Sequence, residues 1–189
     1  MNINSPKELL DYMDKNFSYG FLDKEGNIHS VDDDDFEDVW YDSYVLENYD
    51  DVLRTNMGNC FDMTEFEREW FTRNGYRVST FFEMVDLPYE NIYPTHSFLV
   101  YEKDDKYYHF EYSDFYNRGI HEYDSLEELL NRQYDSYLKY LDEFNITEEE
   151  KNHIILKLFN KPKEHISAKE YLEHASLDSV NLVKGHSKW

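Results

Sequence analysis

The residues best suited to chemistry are few. Of 189 residues only one is cysteine, Cys60, in the stretch MGNCFDMTEFEREWF over residues 57–71. A thiol attacks as its thiolate, and the first turn of a helix favours that form through the helix dipole and its unpaired backbone N–H groups. Cys60 takes that place if a helix starts at or just before it, and Gly58-Asn59 supplies a sharp entry turn. Backbone N–H groups there could also face an oxyanion. The competing reading is a small apolar residue in a core, because free cysteine is among the most buried residue types.

A nucleophilic thiol needs an imidazole to hold its proton and an acid to orient that imidazole. Two segments rich in β-branched and aromatic residues, HSFLVYE (96–102) and KYYHFEYS (106–113), read as strands of a hairpin around charged turn residues. With Asp104-Asp105 as a two-residue turn, Lys103 faces Lys106, and outward counting pairs Glu102 with Tyr107, Val100 with His109, Phe98 with Glu111 and His96 with Ser113. His96 and Glu111 then share a face as diagonal cross-strand neighbours, their backbones roughly 7 to 8 Å apart and within side-chain reach. An odd-numbered turn would flip the parity and put Asp114 in place of Glu111. His109 shares the face nearer the turn and reads as packing or support.

The elements that must position these groups follow from periodicity. Ser5-Pro6-Lys7-Glu8 opens a short helix that ends near Asn16. Residues 21–29 read as strand or turn. The acidic run VDDDDFED lacks the alternating ligands and glycine of a calcium loop and reads as solvated. Residues 36–54 have mixed spacing, a turn or two of helix and then an irregular approach to Cys60. In the cysteine helix Met63, Phe66, Trp70 and Phe71 follow helical spacing, with Asp62, Glu65, Arg68 and Glu69 expected towards water or the rim, and Asn74-Gly75 stops it. YRVSTFFEM (76–84) reads as a strand. Residues 85–95 read as a loop, with Tyr89 and Tyr93 as candidates to line a groove. Ser125 opens a long helix with Leu126, Leu129, Leu130, Tyr137, Leu138, Leu141 and Phe144 on one side. Capping boxes at Thr147 and Ser167 predict further helices. The expected fold class is α+β: a cysteine-bearing helix on an antiparallel sheet as the core over residues 1–130, and a helical C-terminal extension packed on it over residues 131–189, its final stretch ordered only if Trp189 docks.

Composition limits the function classes. The 34 Phe, Trp and Tyr residues, 18% of the chain, are enough to drive folding despite low mean hydropathy. A formal charge of -22 repels phosphate backbones and excludes direct nucleic-acid binding as the expected role. No run of about eighteen apolar residues predicts a membrane span, and the N-terminus carries no secretory pattern, so a cytoplasmic protein is expected. Neither C-x-x-C nor H-E-x-x-H is present, and no metal or cofactor is expected.

G-N-C at a helix start, THSFLVY and YYHFEYS resemble, in that order, the transglutaminase-like superfamily, which is similar in fold to papain-like enzymes. The run from SPKELLDYM to DSLEELL looks like transglutaminase-like proteins of Gram-positive bacteria and their mobile elements, and covers roughly the first 130 residues. The resemblance implies Cys60 as nucleophile, His96 as general base and Glu111 as the acid, at a position where the family more often has Asp. It implies acyl transfer or hydrolysis at an amide of a protein or peptide through a thioester, as in a protease, deamidase or transferase. The alternative is an acidic interaction or inhibitor protein, a nucleic-acid mimic encoded by a mobile element against a basic protein partner, with the triad dispensable.

Overall fold

The computed structural model describes residues 3–34, 36–87, 94–177 and 180–181. Tyr89, Tyr93 and Trp189 lie outside them.

Helix α1 (Pro6–Asn16) starts where Ser5 Oγ accepts the Glu8 N–H at 3.3 Å, and it buries Leu9 and Met13. Strands β1 (Ser18–Leu22) and β2 (Ile28–Ser30) form a hairpin whose turn is held by Asp23, its carboxylate accepting the N–H groups of Glu25 and Asn27 at 2.9 and 2.7 Å. The mixed spacing of residues 36–54 resolves into two short helices, α2 (Phe36–Ser43) and α3 (Tyr49–Thr55). Strand β3 (Met57–Gly58) pairs in parallel with β1 and leads into α4 (Cys60–Arg73). Then come β4 (Arg77–Val85), β5 (His96–Lys103), β6 (Lys106–Glu111) and β7 (Gly119–Tyr123). Helices α5 (Leu126–Asp142) and α6 (Glu148–Lys151), strand β8 (Ile154–Phe159), helix α7 (Ala168–Leu177) and strand β9 (Val180–Asn181) complete the chain.

The molecule is a mixed α+β structure. Its main sheet has six strands in the order β7-β6-β5-β4-β8-β9, antiparallel throughout, beside a small sheet β2-β1-β3. One face of the main sheet carries α4, where Met63, Phe66, Trp70 and Phe71 pack on Leu99, Tyr101 and Phe110 together with Leu9 and Met13 of α1. The opposite face carries α5, whose Leu129 and Leu130 meet Phe81, Phe98, Val100 and Leu156. Each fully buried side chain of this size contributes about 1.5 to 3 kcal/mol. The hairpin register is as counted from the sequence from Lys103↔Lys106 to Leu99↔Phe110, and the counted pairs Phe98 with Glu111 and His96 with Ser113 lie beyond the ladder. Asp104 and Asp105 both adopt left-handed backbone (φ 52° and 59°), the two-residue turn that such twisted strands favour. Lys103 faces Lys106, Glu102 faces Tyr107 and Val100 faces His109.

Several expectations need correction. The C-terminal third is not helical alone. The capping box at Thr147 starts a helix of only four residues, because the aliphatic run IILKLF that follows becomes β8 and pairs with β4 from Thr80↔Phe159 to Val85↔Ile154. Helix α5 runs through residue 130 and β8 lies inside the sheet, so residues 131–189 supply part of the core. Residues 119–123, expected as loop, form β7 against β6. Within α4, Asp62 and Glu65 are buried, because Asp62 caps the helix and Glu65 pairs with Arg68 at 2.9 Å. Phe144, placed on the apolar side of α5, is exposed beyond the helix end. No helix among the described residues is long and apolar enough to cross a membrane.

Candidate active site

Local capping chemistry positions Cys60. Asn59 Oδ1 accepts the N–H groups of Phe61 and Asp62 at 2.9 and 3.3 Å, while Asp62 Oδ2 accepts the Asn59 N–H at 3.0 Å. The other Asp62 oxygen accepts the Tyr44 hydroxyl and the Glu47 N–H, both at 2.8 Å, tying the preceding chain to the helix start. Burial pushes the Asp62 carboxyl up to about 7, although these donors oppose the shift. Glycine is required at position 58, where a Cβ would lie 2.7 Å from that of Asp62.

Strand β5 is fastened to the same helix end. Ser97 Oγ donates to the Cys60 carbonyl at 3.0 Å and lies 3.1 Å from Thr64 Oγ1. Ser97 therefore points to the α4 face, and its neighbour His96 belongs to the other face of the strand. The β5–β6 ladder stops at Leu99↔Phe110. Residues 96–98 have no β6 partner in it, so His96, still paired with Glu83 of β4, lies at the end of the strand beyond the β5–β6 ladder.

There His96 Nε2 lies 2.8 Å from Glu111 Oε2, and the Cys60 side chain is a second hydrogen-bond partner of the ring. With Nε2 engaged by the carboxylate, Nδ1 is the nitrogen left for the thiol. Glu111 is fully engaged: Oε2 also receives His109 Nε2 at 3.1 Å, and Oε1 accepts the Asp114 N–H at 2.8 Å. Burial alone would raise the Glu111 carboxyl, but the His96 charge and the two histidine hydrogen bonds hold it well below the usual carboxylate range. Burial opposes charge on His96, yet the Glu111 carboxylate and the hydrogen bond to Cys60 raise it well above an ordinary histidine. Both shifts describe a buried ion pair.

The structure thus brings Cys60, His96 and Glu111 together. Asp114 is not the orienting acid; its carboxylate closes a turn, accepting the Tyr116 N–H at 2.9 Å and Asn117 Nδ2 at 2.6 Å. His109 supports Glu111. Among the described residues no group of three His, Cys, Asp or Glu side chains could hold a metal ion.

Sequence reasoning missed four groups. The Tyr19 hydroxyl hydrogen-bonds both the backbone N–H and the side chain of Cys60, and burial pushes its phenol well above 10, keeping it a proton donor. Glu67 is buried two turns beyond Cys60, and burial and the Glu111 charge push its carboxyl well above the usual carboxylate range. Glu83 sits directly opposite His96 in the β4–β5 ladder and accepts Gln133 Nε2 at 2.8 Å. Two of these carried a signal: Glu83 interrupts the apolar run TFFEMV, and Gln133 falls on the apolar stripe of α5 between Leu130 and Tyr137. Tyr19 carried none, because it comes from a strand distant in sequence.

No protein-family model, curated protein or solved structure matches the chain.

Proposed function

We propose that the protein is a transglutaminase-like cysteine enzyme that transfers or hydrolyses an acyl group at the amide of a protein or peptide. The observation that supports this reading is the sequence Cys60, His96, Glu111 at one end of β5, with His96 hydrogen-bonded to Glu111 at 2.8 Å and its charged form favoured by both Glu111 and Cys60. In the reaction the Cys60 sulfur bonds to the amide carbon, and the carbonyl oxygen takes up the electron pair. The Cys60 N–H and the Tyr19 hydroxyl, neighbours of the sulfur, are the donors assigned to that oxyanion in this reading. The C–N bond then breaks, with the imidazolium proton of His96 passing to the leaving amine, and a thioester remains. Water or an amine, deprotonated by His96, attacks the thioester and returns the thiol. Glu111 keeps the ring oriented throughout and stabilises its charged form before the amine leaves and again once His96 has taken the acceptor's proton.

Alkylation by iodoacetamide tests the reading. Expected are fast, pH-dependent modification of Cys60, its loss in His96→Ala, and an acyl adduct on Cys60 visible by mass spectrometry with an activated ester. Slow modification at the rate of an ordinary thiol, indifferent to His96, refutes it. A second reading, an acidic interaction or inhibitor protein with a dispensable triad, is supported by the formal charge of -22. It requires biological activity to survive Cys60→Ala, which the enzymatic reading forbids.

A further inference from the structure

Cys60 and His96 open onto a cavity of about 650 Å³, a size that holds a long side chain with the backbone around it. The described residues lining it include four carboxyl groups, those of Asp33, Asp34, Glu83 and Asp114, and no lysine or arginine. His96, the basic group on the wall, is already paired with Glu111. Aromatic rings complete the rim: Phe115 and Tyr116 line the cavity although 63% and 85% exposed. Arg118 already stacks on the Phe115 ring, its guanidinium 4.5 Å from the ring centre, so an aromatic face here does hold a cation, and the exposed Tyr116 ring beside the carboxylates is suited to a second alkylammonium or guanidinium group.

Glu83 is the independent observation. It lines the cavity at only 1% exposure, and its Oε2 has no hydrogen-bond partner among the described residues, while Oε1 is held by Gln133. A buried carboxyl oxygen left unsatisfied is destabilising, and native folds retain such groups where a bound partner completes them. The groups facing Glu83 are His96 on β5, Glu111 at the end of β6, Asp114 beyond it, and Gln133 and Tyr137 on α5. None of these occupies Oε2.

We propose that this cavity binds a basic side chain of the substrate, with Glu83 as the innermost acceptor of its ammonium or guanidinium group and the Phe115 and Tyr116 rings flanking the entrance. The position of that residue, next to the amide presented to Cys60, rests on the acyl-transfer reading; the cation site itself does not. Burial pushes the free Glu83 carboxyl up to about 8, so it is largely protonated at pH 7. An entering cation favours its ionised form, and binding therefore releases a proton.

The test uses the full chain carrying Cys60→Ala to prevent turnover, at about 0.15 M salt so that the general negative charge is screened. Three fluorescein-labelled peptides differ only in the residue beside a glutamine: arginine, its neutral isostere citrulline, or glutamate. Anisotropy should show arginine bound at least about tenfold more tightly than citrulline, and glutamate weakest, as expected of charge complementarity. Adding Glu83→Gln should reduce the arginine preference to about threefold or less, the residue of rim charge alone. Calorimetry of the arginine peptide in two buffers of different ionisation enthalpy needs no change at Glu83, and should report close to one proton released at pH 7. Equal affinity for arginine and citrulline, or an arginine preference without proton release, overturns the proposal. Ordinary, His96-independent alkylation of Cys60 beside an intact arginine preference would instead leave the cation site standing and overturn the acyl-transfer reading.

Discussion

Replacing Glu111 by Gln keeps the side chain's size and removes the charge that makes His96 an imidazolium. The carboxylate oxygen lies 2.8 Å from His96 Nε2, and both residues are well shielded from water. With charge centres about 4 Å apart and an effective dielectric of about 20, the attraction is worth about 4 kcal/mol. At 1.36 kcal/mol per factor of ten, that is a ceiling of about a thousandfold on the population of charged His96. The amide also cannot satisfy every present partner of Glu111. One end must accept the Asp114 N–H, and the other must then donate towards His96 and His109, which turns the imidazole's usable proton away from its present nitrogen. Burial, opposed now only by Cys60, favours neutral imidazole. The assay is the rate of iodoacetamide alkylation against pH, from 5 to 9. In the wild type the fast rate should persist across the neutral range. In Glu111→Gln the rate at pH 7 should fall at least tenfold, within the ceiling of about a thousandfold. A profile within twofold of wild type, with the variant folded by circular dichroism, would refute the claim that Glu111 maintains the charged pair.

Tyr19→Phe removes a proposed oxyanion donor, so inhibition by a peptide aldehyde, whose thiol adduct carries that oxyanion, should weaken by about 10² or more while iodoacetamide alkylation changes little. Equal losses in both would make Tyr19 a general structural residue. Stability should depend on pH through the buried acids. Asp62, Glu47 and Glu83 are raised to about 7, 8 and 8. The folded state therefore binds more protons than the unfolded chain between about pH 4 and pH 8, and stability falls as pH rises through that window. The depressed Glu111 works in the opposite sense, its contribution being lost as pH falls below the ordinary carboxylate range. Melting temperatures should thus be higher near pH 5.5 than at pH 8, and Glu83→Gln should flatten the difference; a flat wild-type profile would contradict these shifts. Removing residues 147–189 strips β8 and leaves the apolar β4 edge unpaired, so the shortened chain should aggregate. A soluble, cooperatively melting product would show that the C-terminal third is an addition to the core.

Much of the site's local framework is legible in the order of the residues. The starts of α1, α5 and α7 follow from Ser5, Ser125 and Ser167, because capping is decided by neighbours a turn away. The parity of Asp104-Asp105 puts His96 and Glu111 on one face, because side chains alternate strictly along a strand. Periodicity fails where burial overrides polarity. Asp62 looks like a surface residue of an amphipathic helix, and is buried because it caps that helix and receives Tyr44 and Glu47 from a segment fifteen or more residues away in sequence.

By itself the sequence determined which residues could do chemistry, how the cysteine helix and the hairpin are built, and which acid shares the face of His96, since all of these depend on interactions within a few residues. The tertiary structure alone decided that Ser97 draws the start of α4 to the start of β5, that the β5–β6 ladder stops short of His96, and that Tyr19 meets Cys60. It also placed IILKLF beside β4 and left Glu83 half satisfied in a wall without lysine or arginine among the described residues. These are encounters between segments tens of residues apart, fixed by how apolar faces pack together, and no local pattern encodes which distant partner fills a given face.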